Sequence, residues 1–153
     1  MSASPSTNEP LPIHVRSMTE ADVPLVMNSW LKSFRDCAAT WGVGNDEYYA
    51  TQKKVITKLL EVSSVAIACD PSDHEQVFGW VCWTPRNKDV VIHYVYVKHL
   101  FQRMGVAREL MEVANPHDLP IYATHVGPAS NDLKATVPHR YKPFILTTIL
   151  VGG

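Results

Sequence analysis

Val95-Tyr96-Val97-Lys98-His99-Leu100-Phe101-Gln102-Arg103-Met104-Gly105-Val106-Ala107-Arg108-Glu109-Leu110 joins a run of high β propensity to a helix through a short turn. Inside it, Gln102-Arg103-Met104-Gly105-Val106-Ala107 has the form Q-x-x-G-x-A. Gly105 permits close backbone approach, and Ala107 leaves little side chain in the way. Free amides at the helix start, together with the positive dipole end, suit a pyrophosphate. Arg103 and Arg108 add charge. An ordinary strand-to-helix turn with a small residue for packing accounts for the same letters. The position after a strongly apolar strand favours the anion-binding reading.

Upstream, Val90 to Val97 is apolar on both faces and reads as a central strand. Val65 to Cys69 and Val77 to Trp83 read as strands, separated by the turn signal Asp70-Pro71-Ser72-Asp73. Asn87-Lys88-Asp89 marks another turn. Ile13 to Arg16 alternates like a half-buried strand. Thr19 suits a helix cap, and Val23, Met27, Trp30, Leu31 and Phe34 recur at helical spacing. A second helix is expected from Asn45 or Asp46, with Tyr49, Ile56 and Leu60 on one side. Downstream, Val106, Leu110, Met111 and Ala114 predict the buried stripe of a third helix, which Asn115-Pro116 ends. Ile121 to His125 reads as a short strand, Ala129 to Thr136 as a helical turn or two, and Phe144 to Val151 as a final strand. The order is β-α-α-β-β-β-α-β with an irregular end. This is an α/β fold with a mixed, mostly antiparallel central sheet and helices on both faces. Residues 1–12 are expected to form a mobile tail and 13–153 a single domain.

Length supports one domain: the chain has 153 residues, of which 46% are hydrophobic and 19% charged, which excludes disorder of the whole chain. Fourteen basic against fifteen acidic side chains leave a formal charge of −1, so no broad electrostatic grip on nucleic acid is expected. Three cysteines without a C-x-x-C pair argue against a disulfide framework and a zinc ribbon, and no metal is expected. Cys69 and Cys82 read as core thiols. No apolar run approaches the ~18 residues that span a bilayer. Met1 to Pro10 lacks the features of a secretory signal, so a soluble cytoplasmic protein is expected.

The Q-x-x-G-x-A turn after a central strand resembles motif A of the GNAT (Gcn5-related N-acetyltransferase) family. Ile13-His14-Val15-Arg16-Ser17-Met18-Thr19-Glu20-Ala21-Asp22 is similar to the family's usual opening, and the resemblance covers about residues 13–125. The chain also resembles small family members encoded by bacteriophages. The resemblance implies acyl-CoA, usually acetyl-CoA, as co-substrate. It places Val95, Tyr96 and Val97 along the pantetheine arm. Gln102, Arg103, Met104, Gly105, Val106, Ala107 and Arg108 fall on the pyrophosphate turn. It implies that strands 90–97 and 121–125 splay apart to admit the cofactor. The chain departs from the family pattern at His99, where Pro is common, and at Val91, where some members carry a Glu base. The C-terminal part reads as shortened, without a recognisable fourth helix or last hairpin.

Direct transfer to an amine needs a base, an oxyanion donor and a proton for the leaving thiolate. A backbone amide near Val97 suits the oxyanion. His93, placed on the face of Val91 and Val95 by strand alternation, is the first candidate base, and His125 the second. A buried, hydrogen-bonded histidine and a solvated one are the plainer readings of these two. Tyr141 is a candidate acid by resemblance, and Tyr122 another. Ser130 and Asn131 are candidates for cofactor or acceptor contact. Asp36, Trp41 and Tyr48 are candidates for a small-molecule or protein amine; Trp30 and Phe34 read as core. Two other readings stand beside the N-acyltransferase: a nucleobase-modifying protein on the same fold, using the basic cluster Lys134, His139, Arg140 and Lys142, or a non-catalytic acyl-CoA-binding module. An exposed edge strand would also suit a homodimer.

Overall fold

The computed structural model describes residues 10–36, 40–125, 140–142 and 145–150. Six strands form one sheet in sequential order: β1 (His14–Ser17), β2 (Ser64–Asp70), β3 (Asp73–Pro85), β4 (Val90–Val97), β5 (Ile121–Ala123) and β6 (Arg140–Tyr141). β1 to β4 pair antiparallel, while β4–β5 and β5–β6 pair parallel. β4 lies inside the sheet, as its apolar faces require, and helix α3 (Val106–Ala114) crosses from it to β5.

The helices cover opposite faces. Val106, Leu110, Met111 and Ala114 of α3 pack on Ala66, Ala68, Val81, Val95 and Val97, so the predicted stripe is the buried one. Helices α1 (Val23–Arg35) and α2 (Asn45–Val62) cover the other face, with Trp30, Phe34, Ile56 and Leu59 against Ile67, Trp80 and Tyr94. A capping box of Thr19 and Asp22 opens the chain into α1, and Pro24 sits in the first turn, where its missing N–H is harmless. Arg16 donates to both carboxylate oxygens of Asp22 at 2.7 and 3.0 Å, which holds that carboxyl down at about 2. Gly79 has a steric role: a Cβ there would overlap the Tyr96 carbonyl of the neighbouring strand.

Cys69 and Cys82 are buried free thiols, and burial pushes Cys82 up to about 12, so it is inert at neutral pH.

Several boundaries and faces differ from the sequence expectations. Residues 145–150 form a helix, α4, not a strand: Leu146, Ile149 and Leu150 pack at helical spacing on the α1/α2 side, and this burial overrides the β propensity of the run. On α2 the buried line is Tyr48, Gln52, Ile56 and Leu59; Tyr49 is exposed, while Leu60 packs partly buried at the margin of the same core. β3 is longer than expected and β5 shorter. On β4, Tyr94 pairs with Cys82 and Ile92 with Trp83, leaving His93 as an extra, bulged residue. The bulge resets the alternation. Val95 packs against α3, while Tyr94 packs against α1, so His93 does not share the face of Val95. The helical turn expected within Ala129–Thr136, and residues 1–9 of the expected tail, lie outside the described residues.

Candidate active site

The turn that enters α3 is held from behind. Lys98 N–H donates to the Phe78 carbonyl at 2.8 Å, and the Phe101 ring packs tilted on Phe78 with centroids 4.5 Å apart. Arg103 (φ 64°) and Gly105 (φ 87°) both take left-handed backbone. Such conformations turn successive amides toward one side. The amides of Val106, Ala107 and Arg108, in the first helical turn, have no intrahelical acceptor. A Cβ on Gly105 would meet nothing within 4 Å, so the space over the turn is open. Val106 anchors the turn in the core, and Arg103 and Arg108 stand exposed beside it. Open room, unspent donors and two cations fit a pyrophosphate.

Beside this turn the sheet opens. β4 and β5 pair only from Val90–Ile121 to Ile92–Ala123, and the last bond between them is Thr124 N–H to the Ile92 carbonyl at 3.1 Å. The bulge at His93 begins where that pairing stops. Past it lies a cavity of about 130 Å³ lined by Ser33, Tyr94, Val95, Tyr96, Val97, His99 and Gln102. Gln102 donates to the Val97 carbonyl at 3.4 Å, so the motif glutamine ties turn to strand. Ser33 and Tyr94 share a hydrogen bond of 2.7 Å across the cavity wall.

Neither candidate histidine lines this cavity; both are buried behind its wall, His93 as the bulged residue next to Tyr94 and His125 with its ring edge-on to Tyr94 at 6.4 Å. His93 Nε2 bonds Thr84 Oγ1 at 2.8 Å and its Nδ1 bonds Thr124 Oγ1 at 2.9 Å. His125 Nδ1 bonds the same hydroxyl at 3.0 Å, and its Nε2 meets the Gln52 amide at 3.1 Å. Burial, with repulsion from His125, pulls His93 down to about 3. Burial pulls His125 down to about 4, opposed in part by the His93 main chain. Both rings are therefore neutral at pH 7 and hold an added proton only weakly, because burial disfavours the charged imidazolium.

The other predicted residues separate into groups. Val95, Tyr96, Val97 and Gln102 line the cavity; Arg103, Met104, Gly105, Val106, Ala107 and Arg108 form the adjoining turn. Tyr48 is core: its hydroxyl donates to the Leu31 carbonyl at 2.6 Å, and Arg35 lies 4.9 Å over its ring. Arg35 also donates to the carbonyls of Thr40 and Val43, bracing the loop that displays Trp41 at 75% exposure. Asp36 is exposed at the end of α1. Tyr141 is half exposed on β6, opposite Ala123. Tyr122 carries the Lys142 ammonium 4.5 Å above its ring. Ser130, Asn131, Lys134 and His139 lie outside the described residues.

Sequence reasoning missed Thr84, Thr124 and Gln52. Only Gln52 left a signal, as a polar residue in step with Tyr48 and Ile56 on a buried helix stripe.

A model of the acetyltransferase (GNAT) family matches residues 27–115, more than half of the chain, from α1 to the end of α3. The chain belongs to the GNAT family of acetyltransferases. The solved structures similar to this GNAT chain include histone acetyltransferase HPA2 and related acetyltransferase from Corynebacterium glutamicum. That structure is 15% identical with a TM-score of 0.59, covering 82% of this chain and 83% of its own. A GNAT acetyltransferase from Staphylococcus aureus Mu50 is 9% identical with a TM-score of 0.55, covering 81% and 82%. At these identities the likeness establishes the GNAT fold. No curated protein matches the chain in sequence. Among the described residues no helix is long and apolar enough to cross a membrane, and no group of three or more His, Cys, Asp or Glu is placed to hold a metal.

Proposed function

We propose that this GNAT protein transfers an acyl group from acyl-CoA, acetyl-CoA in the usual case, to an amine by direct attack. The observation that carries this reading is the joint between β4, β5 and α3. A left-handed glycine turn with unspent amides stands beside a strand pair that parts at a bulge.

Backbone amides from Arg103 to Ala107 grip the pyrophosphate, with Arg103 and Arg108 adding charge. Val95, Tyr96 and Val97 guide the pantetheine arm along the free edge of β4. A main-chain amide of β4 beyond the bulge, near Val97, stabilises the oxyanion. The neutral histidines receive the amine proton, with His125 beside the aromatic rings of Phe34 and Tyr94 and His93 behind it. Tyr141, on the strand next to β5, supplies the proton to the leaving thiolate. Asp36 and Trp41 present the acceptor, a small-molecule or protein amine.

The test is thermal melting with acetyl-CoA. At a hundredfold excess over Kd a native-state ligand adds about 2.7 kcal/mol, so the midpoint rises by several degrees. Gly105→Glu, which places a carboxylate on left-handed backbone in the anion site, loses that rise. A parent protein whose midpoint is unmoved by millimolar acetyl-CoA contradicts the reading.

A further inference from the structure

The histidine bonds belong to a longer chain, whose meaning rests on the acyl-transfer reading above. Six polar side chains join end to end. Gln52 Nε2 meets His125 Nε2 at 3.1 Å, and His125 Nδ1 meets Thr124 Oγ1 at 3.0 Å. Thr124 Oγ1 meets His93 Nδ1 at 2.9 Å, and His93 Nε2 meets Thr84 Oγ1 at 2.8 Å. Thr84 Oγ1 then meets Ser63 Oγ at 3.2 Å. Ser63 lines a second cavity of about 530 Å³ with Arg16, Ser64 and Trp83, and this cavity shares no lining residue with the cleft cavity beside β4.

We propose that this chain is a proton relay in which Thr124 holds His93 and His125 as opposite neutral tautomers, and which carries the amine proton from His125 to Ser63 and the water of the second cavity.

The proton count leads there. The Thr124 hydroxyl has one hydrogen and faces a δ-nitrogen on each side. It is buried, so leaving that hydrogen unused costs free energy. It therefore donates to one ring and accepts from the other, and the rings must differ. The Gln52 amide nitrogen is a donor, which makes His125 Nε2 the acceptor and puts the ring hydrogen on Nδ1. Thr124 then donates to His93 Nδ1, and His93 donates from Nε2 to Thr84. With the Gln52 amide turned over, every bond reverses and the rings still differ. No carboxylate, lysine or arginine is bonded into the chain among the described residues, so nothing pins a charge along it.

The transfer balances. The Gln52 amide swings off His125 Nε2, an N–H bond forms there when the amine gives up its proton, and the amide returns with its oxygen accepting that N–H. The His125 Nδ1–H bond breaks as Thr124 gains that hydrogen and passes its own to His93 Nδ1. His93 Nε2 releases its hydrogen to Thr84, Thr84 to Ser63, and Ser63 to water. One proton enters, one leaves, and no residue keeps a charge. The Gln52 amide occupies the place of the incoming N–H, which makes Gln52 a positioning residue that sets the resting direction.

The first test is nitrogen-15 NMR of the imidazoles in the full chain. One ring is expected to carry hydrogen on Nδ1 and the other on Nε2; two rings of the same tautomer overturn the relay. The second test is acetyl transfer by Thr124→Val and Thr124→Ser. Thr124→Val keeps the shape and removes the hydroxyl, so kcat is expected to fall about a hundredfold, the low end for positioned acid–base catalysis, with KM for acetyl-CoA unchanged. Thr124→Ser restores most of that loss. A Thr124→Val protein with parental kcat overturns the relay. Thermal stabilisation by acetyl-CoA separates the two claims. A parent that is not stabilised defeats the acyl-CoA reading, while the tautomer pair stands or falls on the NMR result alone.

Discussion

The two faces of the sheet are built differently. Under α3 the fully buried core is mostly aliphatic, with Val, Leu, Ile, Met and Ala around Phe78, and the partly buried Phe101 and Trp83 pack at its margin. Under α1 and α2 the core is aromatic, with the Tyr94 ring in stacked, tilted or edge-on contact with Trp30, Trp80 and Phe34 at about 5–6 Å, and it admits Ser29, Gln52, His93, Thr124 and His125. Both faces serve one site. The α3 face presses the glycine turn against the strand, which apolar shape achieves, and its margin at Ala66, Trp83 and Val113 borders the second cavity. The other face holds the groups proposed to move protons; their side chains are hydrogen-bonded to one another, although the buried Trp30 indole N–H has no partner among the described residues, and the aromatic rings supply rigid walls around them.

Substitutions can break this contrast. The largest effect is expected at Trp30, fully buried and in ring contact with Trp80, Tyr94 and His125. Trp30→Ala should lower stability in urea titration by about 4 kcal/mol, against about 3 kcal/mol for Leu110→Ala on the α3 face. A larger loss at Leu110 would mean that the aliphatic side carries the fold.

The pH dependence should also differ between the faces. His93 and His125 have folded values of about 3 and about 4, both below the ordinary 6.5. The unfolded chain therefore binds more protons in this range. Stability is whole above pH 6.5 and is lost as pH falls from there toward 4, at about 1.4 kcal/mol per pH unit for each histidine. His125→Gln should halve that slope in denaturant titrations at stepped pH. Leu110→Ala should lower the whole curve and leave its slope alone. Asp22, held at about 2 by Arg16, adds its own loss only below pH 4.

The smallest effect on stability is expected at Trp41, which is 75% exposed. Trp41→Ala should move stability by no more than about 0.5 kcal/mol. Steady-state kinetics should instead show a raised KM for the amine with KM for acetyl-CoA unchanged. A change in acetyl-CoA affinity would place Trp41 with the donor instead of the acceptor.

Local pattern made much of this legible. The α3 stripe, the central place of β4 and a glycine at the head of α3 follow from residues adjacent in sequence. The pairing of His93 with His125 was half legible: each is a histidine in or beside a strand, and nothing in the letters said that one threonine joins them. Tyr48 misled, because an aromatic near a loop reads as a binding residue until its hydroxyl is found on Leu31. Residues 145–150 misled because β-branched and aliphatic residues fit either period over so short a run.

By itself the amino-acid sequence determined the order of the elements through β5, the family, and the glycine turn at the head of α3, because each depends on neighbours within a few residues. Only the tertiary structure decided that β4 bulges at His93, which face each side chain takes past it, and that Gln52 reaches His125 from 73 positions away. Those outcomes depend on strand register and on the partner each buried polar atom finds, and both are settled between segments remote in the chain.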